Sequence, residues 1–145
     1  MLPDDVKLWF EKADNDYEAA YSLNSDFKKK TDIICYLCTQ AVEKYLKGFL
    51  SSNNHNIKYE HDLVFNNNIC INYDNRFKEI ERDCASLNKY VNTVRYPHGI
   101  ETTITDSNFC LKTMNKIEKF IPLQELRKAL KIIPVSIQQA KTRKR

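Results

Sequence analysis

Four polar residues recur at helical spacing inside an otherwise apolar stretch, and they are the first candidates for chemistry. They are Gln40, Glu43, Lys44 and Lys47, here called the polar stripe. In a helix, residues three and four apart are neighbours on one face. Glu43 and Lys47 have the spacing of an ion pair on a solvated face, whereas the two lysines together suit a groove that binds phosphate. Spacing alone leaves both interpretations open.

A second chemically capable group follows the third predicted helix. Arg95, Tyr96 and His98 surround Pro97, which disfavours the helical conformation of the residue before it. A guanidinium binds phosphate oxygens, an aromatic ring stacks on a base, and an imidazole transfers protons. The group therefore suits a nucleotide or an RNA backbone. Capping of the helix end by Arg95, with Tyr96 packed on the core, is the simpler account.

Other kinds of site have little support in the sequence. Cys35 and Cys38 form a CxxC pair, but tetrahedral zinc needs two further ligands and no second pair occurs at suitable spacing. No histidine pair has the spacing of a metal-binding helix, and two glycines are too few for a glycine-rich phosphate loop. We therefore predict no metal site and no cofactor, and any nucleotide must be held by side chains.

Composition limits the class of protein. The 145 residues fit one domain, and only two glycines and four prolines are present, which favours long helices over a many-stranded sheet. The five cysteines are odd in number and fall mostly on apolar helix faces, so we expect reduced core thiols. With no leader sequence and no apolar run near the roughly 18 residues of a membrane span, we expect a cytoplasmic protein without membrane contact.

The net charge of +4 is concentrated at the C-terminus. Four basic residues there account for it, namely Lys141, Arg143, Lys144 and Arg145. The other 19 lysines and arginines equal the 19 acidic residues. Without these four residues the chain has no net charge, which excludes a protein that binds nucleic acid through a positive charge over its whole surface. Any nucleic-acid site must therefore be local.

Apolar residues at three-four spacing predict four long helices and a short fifth one. The predicted helices run from Pro3 to Leu23, from a cap at Thr31 or Asp32 to Ser52 or Asn53, from Asp74 or Asn75 to Arg95, from a cap at Thr105 or Asp106 to Ile121, and from Pro122 to Pro134. A long loop with one short turn is expected over 54–73. The prediction is an all-α, up-and-down four-helix bundle with a short fifth C-terminal helix, in a domain of residues 1–134 followed by a basic, disordered tail over 135–145.

Taken together, these residues resemble the HEPN domain family, small helical bundles of bacteria and archaea. The resemblance is carried by Trp9, Ala13, Asp16 and Ala20, by Gln40, Ala41, Glu43, Lys44, Leu46 and Lys47, by His61-Asp62-Leu63, and by Arg95-Tyr96-Pro97. It implies a cytoplasmic bundle, commonly a homodimer, often encoded beside a minimal nucleotidyltransferase with which it forms a toxin–antitoxin pair. The role it implies is the binding of a nucleotide or RNA.

Ribonuclease members of that family resemble one another in an arginine followed, after four to six residues, by a histidine. Here two residues separate Arg95 from His98, and Pro97 interrupts the helix. We therefore expect a protein without a complete catalytic motif that binds a nucleotide, RNA or a nucleotidyltransferase. The predicted ligand site is a groove between helices two and three, formed by the polar stripe with Arg95 and Tyr96. A ribonuclease toxin using Arg95 and His98 and a purely structural dimer or interaction module are the alternatives.

Overall fold

The computed structural model describes residues 3–94 and 101–135, and these form a helical bundle without a β-strand in those ranges. The helices are α1 (Pro3–Asn24), α2 (Thr31–Ser52), α3 (Leu63–Tyr73), a 3-10 helix (Asn75–Ile80), α4 (Glu81–Asn88), α5 (Ile104–Glu118) and α6 (Ile121–Leu130). The predicted all-α bundle is confirmed. None of the described helices is long and apolar enough to cross a bilayer.

Helix α2 lies at the centre of the bundle, as its wide apolar face predicts. It packs along α1 and also contacts α3, α5 and α6. Gly48 permits the close approach to α1, because a Cβ atom there would lie 3.0 Å from Phe10 Cε2 and 3.3 Å from Trp9 Cβ. All five cysteines are buried and free, as expected of core thiols.

The third predicted helix is too long. A 3-10 helix and then α4 occupy its place, and residues 89–94 continue as turns in which the amide of Thr93 bonds to the carbonyl of Tyr90 at 3.2 Å. The hydroxyl of Thr93 donates to the carbonyls of Asp32 (3.0 Å) and Tyr90 (3.1 Å). Side chains that bond to nearby carbonyls compete with helix formation. Val94, which lies within the range of the predicted helix, is 41 % exposed.

The long loop predicted over 54–73 contains a helix instead, α3. Asp62 caps its first turn by accepting the amide hydrogen of Phe65 at 3.0 Å. Asparagines have low helix propensity, so the sequence of this segment does not indicate a helix. Two of them are buried, and Asn67 Nδ2 donates to the carbonyl of Phe77 at 3.1 Å. Tertiary hydrogen bonds therefore stabilise a helix that propensity does not predict.

The last two helices differ from their predicted bounds by small amounts. Helix α5 begins after Thr103, whose side chain and that of Asp106 form a reciprocal capping box. Helix α6 contains Pro122 in its first turn and ends at Leu130, where Lys131 adopts a left-handed conformation with φ of 58°. Of the predicted tail, only Val135 is described, and its side chain is buried.

A buried ion pair connects α6 to α1. The guanidinium of Arg127, 1 % exposed, donates through both terminal nitrogens to Asp14, with the Nη1 to Oδ2 distance 3.1 Å. Tyr45 of α2 donates its hydroxyl to Asp14 Oδ1 at 2.7 Å. Three helices therefore share one buried carboxylate. The apolar spacing of α6 does not predict this contact.

A second carboxylate, Glu118, lies in the same region and predicts a pH effect. It is 2 % exposed and accepts Gln124 Nε2 at 2.9 Å. Burial raises its pKa above the ordinary 4.5, Asp14 raises it further, and Arg127 opposes the rise. Because the folded-state pKa is raised, the contribution of this group to stability is present below the unfolded pKa and is lost as pH rises through the folded pKa.

Glu118→Gln is therefore expected to be more stable than the wild type at pH 8. The difference should shrink as pH falls through the raised folded-state pKa and should be smallest below 4.5. Urea unfolding of both proteins across this range measures the difference, which includes the interaction of Glu118 with Asp14 and Arg127. A difference that is the same at pH 8 and pH 4 would contradict the assignment.

Candidate functional site

Two members of the polar stripe are internal rather than exposed. Glu43 is 4 % exposed, and its two carboxylate oxygens accept from Lys47 Nζ and from His61 Nδ1, both at 2.9 Å. Lys47 is 5 % exposed, and its ammonium lies 5.8 Å from the centroid of the Trp9 ring. The predicted ion pair is present, but it lies beneath the segment that leads from α2 to α3.

The other two members of the stripe are partly accessible. Lys44 pairs with Asp16 of α1, and the two side chains are 25 % and 19 % exposed. Gln40 lies one helical turn from Glu43 towards the start of α2 and is half-buried. Its Nε2 has no hydrogen-bond partner in the described part of the chain. The stripe is therefore not a continuous open row of charges.

Hydrogen bonds fix the corner where the segment before α3 meets the end of α4. Asn88 Nδ2 donates to Asp62 Oδ1 at 3.1 Å, and Asn88 Oδ1 accepts the amide hydrogen of Leu63 at 2.9 Å. Glu60 Oε1 accepts the amide hydrogen of Asp62 at 3.0 Å. These bonds hold the backbone on both sides of His61, which lies between Glu60 and Asp62.

The orientation of the His61 ring follows from its partner. A carboxylate only accepts hydrogen bonds, so Nδ1 carries the hydrogen that Glu43 receives. In the neutral ring Nε2 is then an acceptor, and in the protonated ring it is a second donor. The side chain is 28 % exposed. The ring of Tyr59, 97 % exposed, meets the His61 ring edge-on with centroids 5.6 Å apart.

An open polar cavity of about 300 Å³ lies beside this histidine. It is lined by Glu60, His61, Asp62, Asn88, Val91 and Asn92. Asn92 precedes Arg95 by three positions, while Arg95, Tyr96 and His98 themselves lie outside the described residues. Within the described ranges, no group of three histidine, cysteine or acidic residues is placed to hold a metal ion.

Among the residues that meet at this corner, Glu43, His61, Asp62 and Leu63 contribute to the resemblance noted in the sequence. A family model described as the HEPN domain matches residues 6–127. The chain belongs to the HEPN domain family. Searches of curated proteins and of solved structures found no match. In this HEPN protein the matched range includes the polar stripe, the whole cavity lining and the segment containing Arg95 and Tyr96.

Sequence reasoning did not assign His61, Tyr59, Asn88 or Asn92 to the site. Glu43 and His61 are 18 positions apart, and no spacing rule connects a helix to the segment that follows it. The available signal was His61-Asp62-Leu63, which contributed to the resemblance but received no role. In the folded protein, the His61 imidazole forms a hydrogen bond with the buried Glu43 carboxylate.

Proposed function

We propose that this HEPN protein binds single-stranded RNA at the surface around His61. The observation that carries the proposal is the hydrogen bond from His61 Nδ1 to buried Glu43, which orients a partly exposed imidazole beside an open polar cavity. An oriented imidazole whose second nitrogen is available suits a phosphate oxygen or a ribose hydroxyl. Membership of the HEPN family supports the same class of ligand.

Each element of this surface has a proposed part in binding. His61 Nε2 and the amide of Asn92 contact the sugar-phosphate backbone, and the exposed ring of Tyr59 stacks on a base. Arg95 and Tyr96, which follow the cavity in sequence, supply a guanidinium for phosphate and a second ring. Glu60 and Asp62 also line the cavity, and their negative charges oppose the binding of phosphate. Attraction of phosphate therefore depends on the donors of His61, Asn92 and Arg95.

The polar stripe divides into two proposed roles. Glu43 and Lys47 are positioning residues, because their contacts hold the ring of His61 and neutralise the buried carboxylate. Gln40 and Lys44, which are partly accessible, contact the RNA as it runs along α2. We also propose that the protein forms a homodimer and pairs with a minimal nucleotidyltransferase, as the family resemblance implies.

The test is fluorescence anisotropy with a labelled eight-nucleotide RNA. His61→Ala is expected to weaken binding about tenfold, equivalent to about 1.4 kcal/mol, in line with loss of one hydrogen bond to a charged group. His55→Ala is the matched control, because His55 is also a loop histidine with one ring nitrogen bonded, to the Tyr73 hydroxyl at 2.8 Å. Its affinity should equal that of the wild type.

Four outcomes contradict the proposal. A wild type without RNA affinity, or equal affinity in His61→Ala, rejects the site. RNA cleavage in the presence of a chelator that is lost in His98→Ala and kept in His61→Ala favours the ribonuclease alternative. Co-purification of a protein partner by a chain that binds no RNA favours the structural interaction module.

A further inference from the structure

The connection between α1 and α2 exposes an aromatic ring beside three lysines. Phe27 is 106 % exposed, so no part of the described protein covers its side chain. Lys28, Lys29 and Lys30 follow directly, and all three are exposed. None of the three forms an ion pair with another described residue. We call residues 27–30 the aromatic-lysine loop.

Hydrogen bonds place this loop at a defined end of the bundle. Thr31, the next residue, bonds through its hydroxyl to Thr102 Oγ1 at 2.7 Å and to the carbonyl of Thr102 at 3.2 Å. The hydroxyl of Thr93 donates to the carbonyl of Asp32 at 3.0 Å. Thr93 and Thr102 are the described residues on either side of the segment that contains Arg95 and Tyr96. Both are therefore bonded to the first turn of α2, where the loop ends.

The distance from the loop to the His61 site follows from helix geometry. Thr31 and Glu43 are twelve positions apart in α2, which is about 18 Å along the helix axis at roughly 1.5 Å per residue. Gln40 lies between them and is partly accessible. The hydrogen bond of His61 and the loop therefore lie at different levels of α2, whereas Asn92 of the cavity lining precedes Thr93, whose hydroxyl bonds to Asp32 where the loop ends. An RNA strand of several nucleotides could therefore run from His61 past Asn92 to the loop.

Carboxylates at the same end limit the local charge. Asp26, Asp32 and Glu101 are exposed there. Asp32 Oδ1 accepts the amide hydrogen of Ile33 at 2.9 Å and lies in the first turn of α2, where the helix dipole compensates a negative charge. The binding contribution of the loop therefore depends on direct contacts of its lysines with phosphates rather than on a large positive field.

We propose that the aromatic-lysine loop is a second contact for the RNA strand, with Phe27 stacked on a base and Lys28–Lys30 on phosphates. An exposed ring beside cations is the arrangement that binds single strands without sequence preference. The inference rests on the proposed function, because it extends the strand from the His61 site along α2 to this end. An anionic bilayer is the competing partner for such a loop, and the test includes it.

The test compares RNAs of two, four, eight and twelve nucleotides in a variant in which Phe27, Lys28, Lys29 and Lys30 are all replaced by alanine. Affinity for the dinucleotide should be unchanged, whereas affinity for the twelve-nucleotide RNA should fall at least tenfold. The slope of log affinity against log salt should become shallower by about 0.7 for each lost phosphate contact. Phe27→Ala alone should lower affinity for the long RNA without changing that slope.

A matched control replaces three other exposed lysines, Lys78, Lys112 and Lys119, by alanine and so changes the net charge equally. It should leave the salt slope as in the wild type. Equal affinities of wild type and loop variant at every length, or equal losses at every length, would overturn the loop contact while leaving the His61 site intact. Absence of RNA binding at all lengths would instead reject the proposed function. Loop-dependent binding to phosphatidylglycerol vesicles without loop-dependent RNA binding would assign the loop to a bilayer.

Discussion

Arg127→Ala is expected to lower the free energy of unfolding by about 3–5 kcal/mol, the cost of leaving a buried charge without its partner. Asp14 is 5 % exposed, and after the change only the Tyr45 hydroxyl would donate to its carboxylate among the contacts described here. Because a domain of this size is stable by about 5–15 kcal/mol, this loss is a large fraction of the total and should lower the urea midpoint clearly. Urea denaturation followed by circular dichroism measures the loss.

Lys128→Ala is the matched control, since Lys128 is the next residue of α6, is exposed and is also basic. It should change stability by less than about 0.5 kcal/mol, as surface substitutions usually do. A triple variant, Asp14→Leu with Arg127→Met and Tyr45→Phe, should regain most of the stability, because apolar replacement of both charged partners and of the hydroxyl bonded to Asp14 removes the desolvation cost. If Arg127→Ala cost no more than Lys128→Ala, the ion pair would contribute nothing to stability.

Glu43→Ala is expected to have a comparable effect on stability and an additional effect on RNA binding. It removes the acceptor of both Lys47 and His61. Lys47, at 5 % exposure, would keep a buried ammonium without its carboxylate, at a cost of about 3–5 kcal/mol. His61 would lose the bond that orients its ring, so RNA affinity should fall as in His61→Ala. Denaturation and anisotropy on the same samples measure both effects.

Two further variants separate the structural from the binding contribution of Glu43. Lys44→Ala breaks a partly exposed pair in the same stripe and should cost at most about 1 kcal/mol. Glu43→Gln with Lys47→Met removes both charges but keeps an amide oxygen that accepts the hydrogen of His61 Nδ1. It should regain stability and retain RNA affinity. Wild-type stability in Glu43→Ala would show that Lys47 is not dependent on this carboxylate.

The parts of the fold that the sequence predicts are those with regular apolar spacing. Helices α1 and α2 have the bounds that periodicity indicates, to within one residue. Helix α3 was missed because Asn66 and Asn67 are buried through hydrogen bonds, and propensity does not register tertiary contacts. The third predicted helix was too long at both ends. Residues 75–80 form a 3-10 helix, and after Asn88 the amides of Tyr90, Val91 and Thr93 bond to carbonyls three positions back, as in turns.

The candidate site was predictable only in part for a similar reason. Charged residues at helical spacing usually form a solvated face. This rule gave the correct pairing of Glu43 with Lys47, but both side chains are buried rather than exposed. Their burial depends on the segment that carries His61, which has no periodic pattern to place it. Arg127 was overlooked on the same rule, because a lone arginine on a helix is normally exposed.

The contact between Arg127 and Asp14 has a consequence for how the protein is made. The two residues are 113 positions apart, so at about 5–20 residues per second the ribosome delivers the guanidinium roughly 6 to 23 s after the carboxylate. Until then, α1 and α2 cannot close around Asp14 without burying a lone charge. We therefore expect this part of α1 and α2 to stay hydrated until α6 has left the ribosome.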